Sequence, residues 1–178
     1  MISGILWCAL IGVGARELHA YEVAPGDRGD VPTTWPAASA LPHRGVTVAM
    51  FLHPDCPCSR ASVSELQAAV ASTPAGTLLI VVEDDMPASL AATLRSIPGA
   101  QIVVDRDKRE AARFGAKTSG HVVAYDATGT LAFAGGITAI RGHRGDNIGR
   151  RSLERVLANQ NPVERMRSVF GCGLAELP

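Results

Sequence analysis

The stretch VTVAMFLHPDCPCSRASVSELQAAVAS, residues 46–72, decides the fold of this chain. Its first part, 46–53, is a short apolar run with β-branched residues, which predicts a buried strand. From Ser59 onward the spacing of the apolar residues is that of a helix. The residues that can share one face of this helix are Ala61, Leu66, Ala69 and Val70. Cys56 and Cys58 stand between the strand and the helix, so the same stretch also carries the candidate chemistry.

Strands and helices alternate along the rest of the chain. The predicted strands lie at 77–83, 101–105, 121–126 and 130–134, and the predicted helices run from Pro87 to Pro98, from Lys108 to Phe114 and from Asp146 or Asn147 to about Asn159. Helices between the early strands imply parallel pairing, because a parallel connection needs that length of chain. The turn at 127–129 predicts an antiparallel hairpin. The fold class is therefore α/β, with a mixed sheet and helices on both faces.

Composition excludes several classes of protein. The chain has 178 residues and is 47% hydrophobic, which suits one compact domain and excludes a disordered chain. Lys and Arg number 17, as do Asp and Glu, so the formal net charge is zero. No basic block with interleaved aromatic residues is present, so we expect no nucleic-acid partner and no binding to anionic membrane surfaces.

The N-terminal segment, 1–20, has the character of a signal or membrane anchor. It is uncharged from Met1 to Ala15, a length that suits the apolar core of a secretory signal better than a full membrane span. The basic region that precedes such a core is missing, so we expect the true start to lie upstream. A buried N-terminal helix is the alternative. Export would place the domain in a compartment that permits disulfides.

The remaining boundaries follow from composition. Residues 21–44 are rich in Pro, Gly, Asp and Thr and are predicted to be a linker leading into the domain. The domain itself is predicted at 45–162. Residues 163–178 form a C-terminal tail that contains Cys172 between two glycines.

The order of elements, with a cysteine directly after the first core strand, resembles that of thioredoxin-like proteins. The closest resemblance is to the exported, membrane-tethered thiol–disulfide oxidoreductases of the TlpA type. Phe51-Leu-His-Pro-Asp-Cys-Pro-Cys-Ser59 followed by Glu65-Leu66 corresponds to that family's aromatic residue, C-x-x-C motif and Glu-Leu pair. Gly115, the segment 118–121 and the hairpin 125–129 match the later half, so the resemblance covers roughly residues 46–159. The chain is also similar to the bacterial RedB group, which has a similar C-P-C motif and Gly-Gly-Ile loop.

The resemblance implies a role for individual residues, with two departures. Cys56 aligns with the nucleophilic cysteine, and Ser59 stands where the family has its second cysteine. Cys58 lies between these two positions. The family's cis-proline, which holds the substrate backbone and keeps metals away, is absent, and Ser119 or Gly120 occupies its place.

The resemblance also implies a substrate and a location. The predicted substrate-binding residues are Pro57, Ser119, Gly120 and His121, because the cis-proline loop of this fold faces the nucleophile. The partners would be protein thiols or disulfides, together with an upstream reductase, and no cofactor is needed. The domain would be exported or tethered to the bacterial inner membrane through the N-terminal segment, facing the periplasm.

The residue pattern itself favours a thiolate. A thiol attacks as its anion, and the first turn of a helix supplies unpaired N–H groups and the positive end of a dipole. Cys56 precedes that turn and Cys58 lies at or inside it. Pro57 is compatible with a helix start, because the first N–H groups of a helix have no partner within it and proline loses nothing by lacking one. Arg60 adds positive charge nearby.

A redox mechanism needs a resolving thiol, and two are available. A bridge between Cys56 and Cys58 closes a small, strained ring and would be labile. Cys172, flanked by glycines, can reach the site from the tail. Three thiols allow three single bridges, so the connectivity stays open. The leading hypothesis is an enzyme, a thiol–disulfide oxidoreductase with Cys56 as nucleophile and Cys58 or Cys172 as resolving thiol.

Three alternatives remain beside this hypothesis. A copper carrier would use Cys56, Cys58 and a histidine, because two thiolates and an imidazole form a soft site for Cu(I). Copper chaperones of the same fold bind metal in this way. His121 is the favoured third ligand, and His53 and His143 are the other candidates. A thiol peroxidase would use one cysteine for attack and another for resolution. The last alternative is two ordinary thiols beside a turn.

Overall fold

The computed structural model describes residues 2–73 and 76–174. Its helices are α1 (Ile2–Val23), α2 (Ser59–Ser72), α3 (Ala88–Arg95), α4 (Arg109–Arg113) and α5 (Ile148–Leu157). Its strands are β1 (Thr47–Leu52), β2 (Thr77–Val82), β3 (Ala100–Val104), β4 (His121–Tyr125) and β5 (Leu131–Gly136). The last part of the predicted tail, 175–178, lies outside the described residues.

The five strands form one mixed sheet in the order β3-β2-β1-β4-β5. β1 pairs in parallel with β2, and β2 in parallel with β3. β4 is antiparallel to both β1 and β5. Every residue of β1 and β2 is buried, as their continuous apolar sequence predicts for strands covered on both faces. The predicted parallel part and the antiparallel hairpin are both confirmed.

Helices cover both faces of the sheet, as predicted. α2, α3 and α5 pack on one face, where Leu66, Leu94 and Leu153 are fully buried against Met50 and Ile80. The four residues predicted to face the core from α2 are all buried. The other face is covered by α4 and by residues that flank the domain. Aromatic residues fill this second core, with Phe51, Phe114 and Tyr125 at its centre.

Within the predicted linker, 21–44, the first three residues belong to α1, and residues 24–44 pack against this second face. Trp35 lies with its ring centroid 4.9 Å from that of Phe114 and 5.3 Å from that of Tyr125, both edge to face. The Tyr125 hydroxyl donates a hydrogen bond of 2.8 Å to the carbonyl of Pro32. The segment therefore contributes aromatic and polar contacts to the core.

The chain after α5 runs back along β5. The backbone N–H of Ala134 donates to the carbonyl of Arg165 at 2.8 Å, and that of Arg167 donates to Ala134 at 2.9 Å. The N–H of Gly136 donates to the carbonyl of Ser168 at 3.2 Å. Val169 is buried beyond this pairing. This attachment directs the following residues toward the carboxyl end of β1.

α1 extends from the domain with its side chains exposed. Ile5, Trp7 and Leu10 are each more than 60% exposed, so the alternative of a buried N-terminal helix does not hold. Among residues 2–73 and 76–174, no helix combines the length and the apolar character that a membrane crossing requires. The C-terminal end of α1 contacts the loop after β5, where Arg141 places its guanidinium 4.7 Å from the centre of the Tyr21 ring.

We predict that Trp35→Ala lowers the free energy of unfolding by about 2–4 kcal/mol, because it removes a large side chain from an aromatic cluster. Trp7→Ala is the matched control. Trp7 is 66% exposed, so its replacement should change stability by less than about 0.5 kcal/mol. Urea denaturation of both variants measures the difference. Equal effects would show that residues 24–44 do not stabilise the domain.

Candidate active site

Cys56 lies in a tight turn between β1 and α2. Its N–H donates to the carbonyl of His53 at 3.3 Å, and its own carbonyl accepts from the N–H of Ser59 at 3.0 Å. Cys58 caps α2 in helical conformation, and its carbonyl accepts from Ala61 and Ser62. Both thiols are buried, with Cys56 only 3% exposed. The predicted placement of the two cysteines at the helix start is confirmed.

Ser59 connects this turn to the loop before β4. Its side chain is buried, and its hydroxyl donates to the carbonyl of His53 at 2.9 Å. The Ser59 and Ser119 hydroxyls are 3.0 Å apart, and Ser119 Oγ also accepts from the N–H of His53 at 2.9 Å. Ser59 is therefore held in place at the position that corresponds to the second cysteine of the TlpA-type oxidoreductases.

The loop Lys117–Gly120 is bonded to β1 through its backbone. Gly120 donates its N–H to the carbonyl of Phe51 at 2.8 Å. Its φ of +88° favours glycine, and a Cβ there would also lie 2.6 Å from Ser62 Oγ on α2. The described residues contain no cis peptide bond.

The C-terminal tail brings a third cysteine to this loop. The N–H of Ser119 donates to the carbonyl of Cys172 at 2.8 Å, and the N–H of Leu174 donates to the carbonyl of Lys117 at 2.8 Å. Thr118 and Gly173 form the antiparallel bridge between these bonds. This pairing places the Cys172 side chain beside that of Cys56, where it lowers the pKa of Cys56. Of the two resolving thiols left open by the sequence, Cys172 reaches the nucleophile from a separate segment.

Arg141 joins the tail to α1. Its guanidinium donates to the carbonyl of Gly171, and its Nε donates to the carbonyl of Tyr21 at 3.1 Å. Its backbone N–H donates to the carbonyl of Glu22 at 3.0 Å. Tyr21, Glu22 and Gly171 are all distant from Arg141 in sequence, so local sequence patterns do not predict these contacts.

The three thiols have different protonation preferences. Burial raises the pKa of Cys56, but hydrogen bonds from the Cys172 side chain and from the N–H groups of Cys172 and Cys58 outweigh burial, so the net pKa is lowered. Burial and the neighbouring Cys56 charge raise the pKa of Cys58. Burial and the hydrogen bond with Cys56 raise the pKa of Cys172 to about 12. The anion therefore belongs on Cys56, and protons stay on its two neighbours.

The histidines are not gathered around the cysteines. His121 is fully buried on the sheet face of Val123 and Tyr125, opposite α2, and neither ring nitrogen has a hydrogen-bond partner. Burial and the charge of Arg28 lower the pKa of His121 to about 4. It is therefore neutral at pH 7.

The two other candidate ligands have different surroundings. His53 lies with Nε2 3.7 Å from Glu83 Oε2, and its Nδ1 accepts from the N–H of Asp55 at 3.1 Å. His143 is exposed. Within the part of the chain that the structure describes, no three His, Cys, Asp or Glu residues are placed to hold a metal ion. The structure therefore does not bring together Cys56, Cys58 and His121, the ligand set of the copper alternative.

Cys56 borders a cavity of about 380 Å³ on the side away from the tail. Pro54, Pro57, Arg60 and Leu90 are among the residues that line it. A second cavity, of about 470 Å³, is lined by Lys117, Thr118, Arg141, Gly171 and Gly173, among others. The docked tail therefore borders an open cavity of its own.

The arrangement of strands and cysteines identifies the fold. The cysteine turn connects a central strand to the helix that follows it, and an antiparallel hairpin lies beside that strand. The chain has the thioredoxin-like fold. The fold class that the sequence predicts is thereby confirmed.

Solved structures with the same fold include uncharacterised proteins. An uncharacterised conserved protein from Geobacillus kaustophilus superposes with a TM-score of 0.61 and 15% identity, over 87% of this chain and 93% of that one. A hypothetical protein from Sinorhizobium meliloti superposes with a TM-score of 0.57 and 16% identity, over 87% and 96%. At these identities the likeness concerns the fold and assigns no activity.

A third structure is a secreted disulfide oxidoreductase of Mycobacterium tuberculosis, described as homologous to DsbE of Escherichia coli. Its TM-score is 0.48 and its identity 19%, over 66% of this chain and 83% of that one. No protein-family model matches the chain. No curated protein matches it either.

We predict that one thiol of the reduced protein titrates below the range of a free cysteine, about 8.5. Because the folded environment favours the Cys56 anion, its alkylation should stay fast below that pH and slow only as the pH falls through the lowered pKa. Cys172→Ala removes a hydrogen-bond donor and should raise this pKa. Cys8→Ser, at an exposed position, is the control. Rates of iodoacetamide labelling against pH measure the effect, and a Cys56 that titrates like a free thiol would contradict it.

Proposed function

We propose that the protein is a thiol–disulfide oxidoreductase in which Cys56 is the nucleophile and Cys172 is the resolving thiol. The observation that carries the proposal is that backbone pairing fixes Cys172 to the loop Lys117–Ser119, with its side chain beside that of Cys56. The Cys172 side chain lowers the pKa of Cys56 and so favours its anion, which is the reactive form.

The exchange proceeds in two displacements. The thiolate of Cys56 attacks a substrate disulfide, forms a mixed disulfide and releases one substrate thiolate, which takes up a proton. Cys172 then attacks the Cys56 sulfur as its thiolate, so that the Cys56–Cys172 disulfide forms and the second substrate thiolate leaves and takes up the proton that Cys172 lost. One disulfide is reduced and two thiols are oxidised. The reverse sequence oxidises a dithiol substrate.

Cys172 fits the resolving role better than Cys58. Cys58 is two residues from Cys56 and begins a helix, so a bridge between them closes a small ring at a rigid position. Cys172 comes from a different segment and is not limited by a short connection. Burial and the hydrogen bond with Cys56 raise its pKa, so it stays protonated while Cys56 is the anion. The Cys58 backbone instead helps to lower the pKa of Cys56.

Protein thiols or disulfides are the proposed substrates, with an upstream reductase that returns the enzyme to its dithiol form. We place the domain outside the cytoplasm, exported or tethered to the inner membrane and facing the periplasm. The uncharged N-terminal segment supports this location, as does the presence of paired thiols able to form a disulfide. The proposed substrate contacts are Pro57, which lines the cavity beside Cys56, together with Ser119, which contacts Ser59 of the cysteine turn, and its neighbour Gly120. His121 is left out of this set, because it is buried on the opposite face of the sheet.

Mass mapping of the oxidised protein, combined with turnover of a disulfide substrate such as insulin, tests the proposal. We expect a Cys56–Cys172 disulfide. Cys56→Ser should abolish turnover, because the nucleophile is lost. Cys172→Ser should lower turnover by about tenfold or more and accumulate mixed disulfide, since resolution is lost. Cys58→Ser is the matched control and should stay within about threefold of the wild type.

Two results would contradict this assignment. A Cys56–Cys58 bridge in oxidised material would transfer the resolving role to Cys58, especially with wild-type turnover in Cys172→Ser. Absence of any disulfide turnover in the wild type would remove the oxidoreductase function itself.

We predict that oxidation stabilises the protein through the same bond. A disulfide between residues 56 and 172 closes a long loop, and restriction of the unfolded chain then contributes about 4–5 kcal/mol in the chain-entropy model. Urea denaturation should show this difference between oxidised and reduced wild type. Cys172→Ser should show no such difference. A bridge that left stability unchanged would mean that it strains the native state by a similar amount.

A further inference from the structure

The nucleophile is closed to a polypeptide while the tail is in place. Cys56 is 3% exposed, and the docked tail holds Cys172 on the loop Lys117–Ser119 beside it. The opening that remains is the cavity of about 380 Å³ beside Pro57 and Arg60, which admits a small molecule. A protein disulfide cannot bring its sulfur to Cys56 unless a segment of this chain moves.

The tail binds the loop in the way that an extended peptide binds a free strand. The N–H of Ser119 and the carbonyl of Lys117 form antiparallel hydrogen bonds with Cys172 and Leu174. Such backbone bonds do not depend on the side chains of the peptide, so another extended chain could form them equally well. While residues 172–174 are docked, these two backbone groups are already hydrogen-bonded and cannot bind another chain.

Among the described residues, the backbone hydrogen bonds to the domain are fewer in the last section of the chain. The section 165–169 is held by four of them, to Ala134, to Gly136 and to Gly26. The section 170–174 is held by the two bonds to the loop, by the contact of Arg141 with the Gly171 carbonyl and by the burial of Leu174. The chemistry of the site and this difference in backbone bonding point to 170–174 as the segment that moves.

We propose that residues 170–174 are an internal competitor of the polypeptide substrate, which must displace them from the loop Lys117–Ser119 before Cys56 reacts. The proposal rests on the oxidoreductase function proposed above. Displacement uncovers the Cys56 sulfur and frees the backbone groups of the loop. Redocking of the tail then returns Cys172 to the mixed disulfide, so the segment that blocks the first displacement carries out the second.

The variant Gly171→Ala tests the docking of the tail without changing the reacting Cys56. A Cβ at this position would lie 2.1 Å from the carbonyl oxygen of Ser119, so the methyl group should push the tail off the loop. Its φ is not among the positive values, so alanine meets no backbone strain there. Gly12→Ala is the matched control, because a Cβ at Gly12 meets no atom within 4 Å. Leu174→Asp, which places a charge at a buried apolar site, is a second undocking variant.

The experiment measures the first displacement alone, in full-length reduced protein that carries Cys8→Ser and Cys172→Ser in every case, so that the exposed thiol does not consume the probes. One probe is Ellman's reagent, a small disulfide. The other is an extended peptide whose cysteine carries the same thionitrobenzoate leaving group. In both, the Cys56 thiolate forms a mixed disulfide and thionitrobenzoate leaves. The ratio of the two rate constants cancels any change in the intrinsic reactivity of Cys56.

Hydrogen exchange reports docking independently. The N–H groups of Ser119 and Leu174 should lose protection in an undocking variant, while that of Arg167, bonded to Ala134, should keep it. We expect both undocking variants to lose this protection and to raise the peptide-to-reagent ratio by about tenfold or more, with Gly12→Ala unchanged.

Three results have distinct meanings. Loss of protection at Ser119 with an unchanged ratio overturns the competitor role, because the tail then blocks nothing. Protection retained in both variants also overturns it, since the tail would be a fixed part of the fold. If neither probe reacts with Cys56 in any variant, the oxidoreductase function itself fails, independently of the tail.

Discussion

The antiparallel pairing of Cys172–Leu174 with Lys117–Ser119 is the constraint on which the site depends. Two backbone hydrogen bonds fix the tail, and Gly171 allows its close approach because any larger residue would meet the Ser119 carbonyl. This pairing brings a thiol from the end of the chain to a thiol at the start of α2. Without it, Cys56 would have only Cys58, its near neighbour in sequence, as a thiol partner.

The pairing also determines where the negative charge resides. A buried thiol normally resists ionisation, since a charge loses hydration energy in an apolar environment. Cys56 is buried, yet its pKa is lowered, because hydrogen bonding from the Cys172 side chain and from the backbone of Cys172 and Cys58 outweighs burial. The same arrangement raises the pKa values of Cys58 and Cys172, which sit next to that charge. Burial raises the pKa of all three thiols, so the direction of the hydrogen bonds decides which of them ionises.

Much of the fold was predictable because it depends on local patterns. The continuous apolar runs of β1 and β2 require burial on both faces, and both strands are central. The helix α2 begins and ends as its apolar spacing predicts, at Ser59 and Ser72. The cap of α5 is Asn147, one of the two residues expected, and its side chain accepts from the N–H of Arg150. These features each arise from residues close together in sequence.

The site was predictable only in part. The sequence determined that Cys56 and Cys58 stand at a helix start, because strand, turn and helix follow one another without interruption. It left Cys172 as one of two resolving thiols, and it gave no indication that Arg141 contacts both the tail and α1. His121 was expected near the nucleophile, but the alternation of β4 directs its side chain to the face opposite α2. The tertiary structure decided these points, because pairing between distant segments depends on how the whole sheet and its flanking chains pack, which local sequence patterns do not encode.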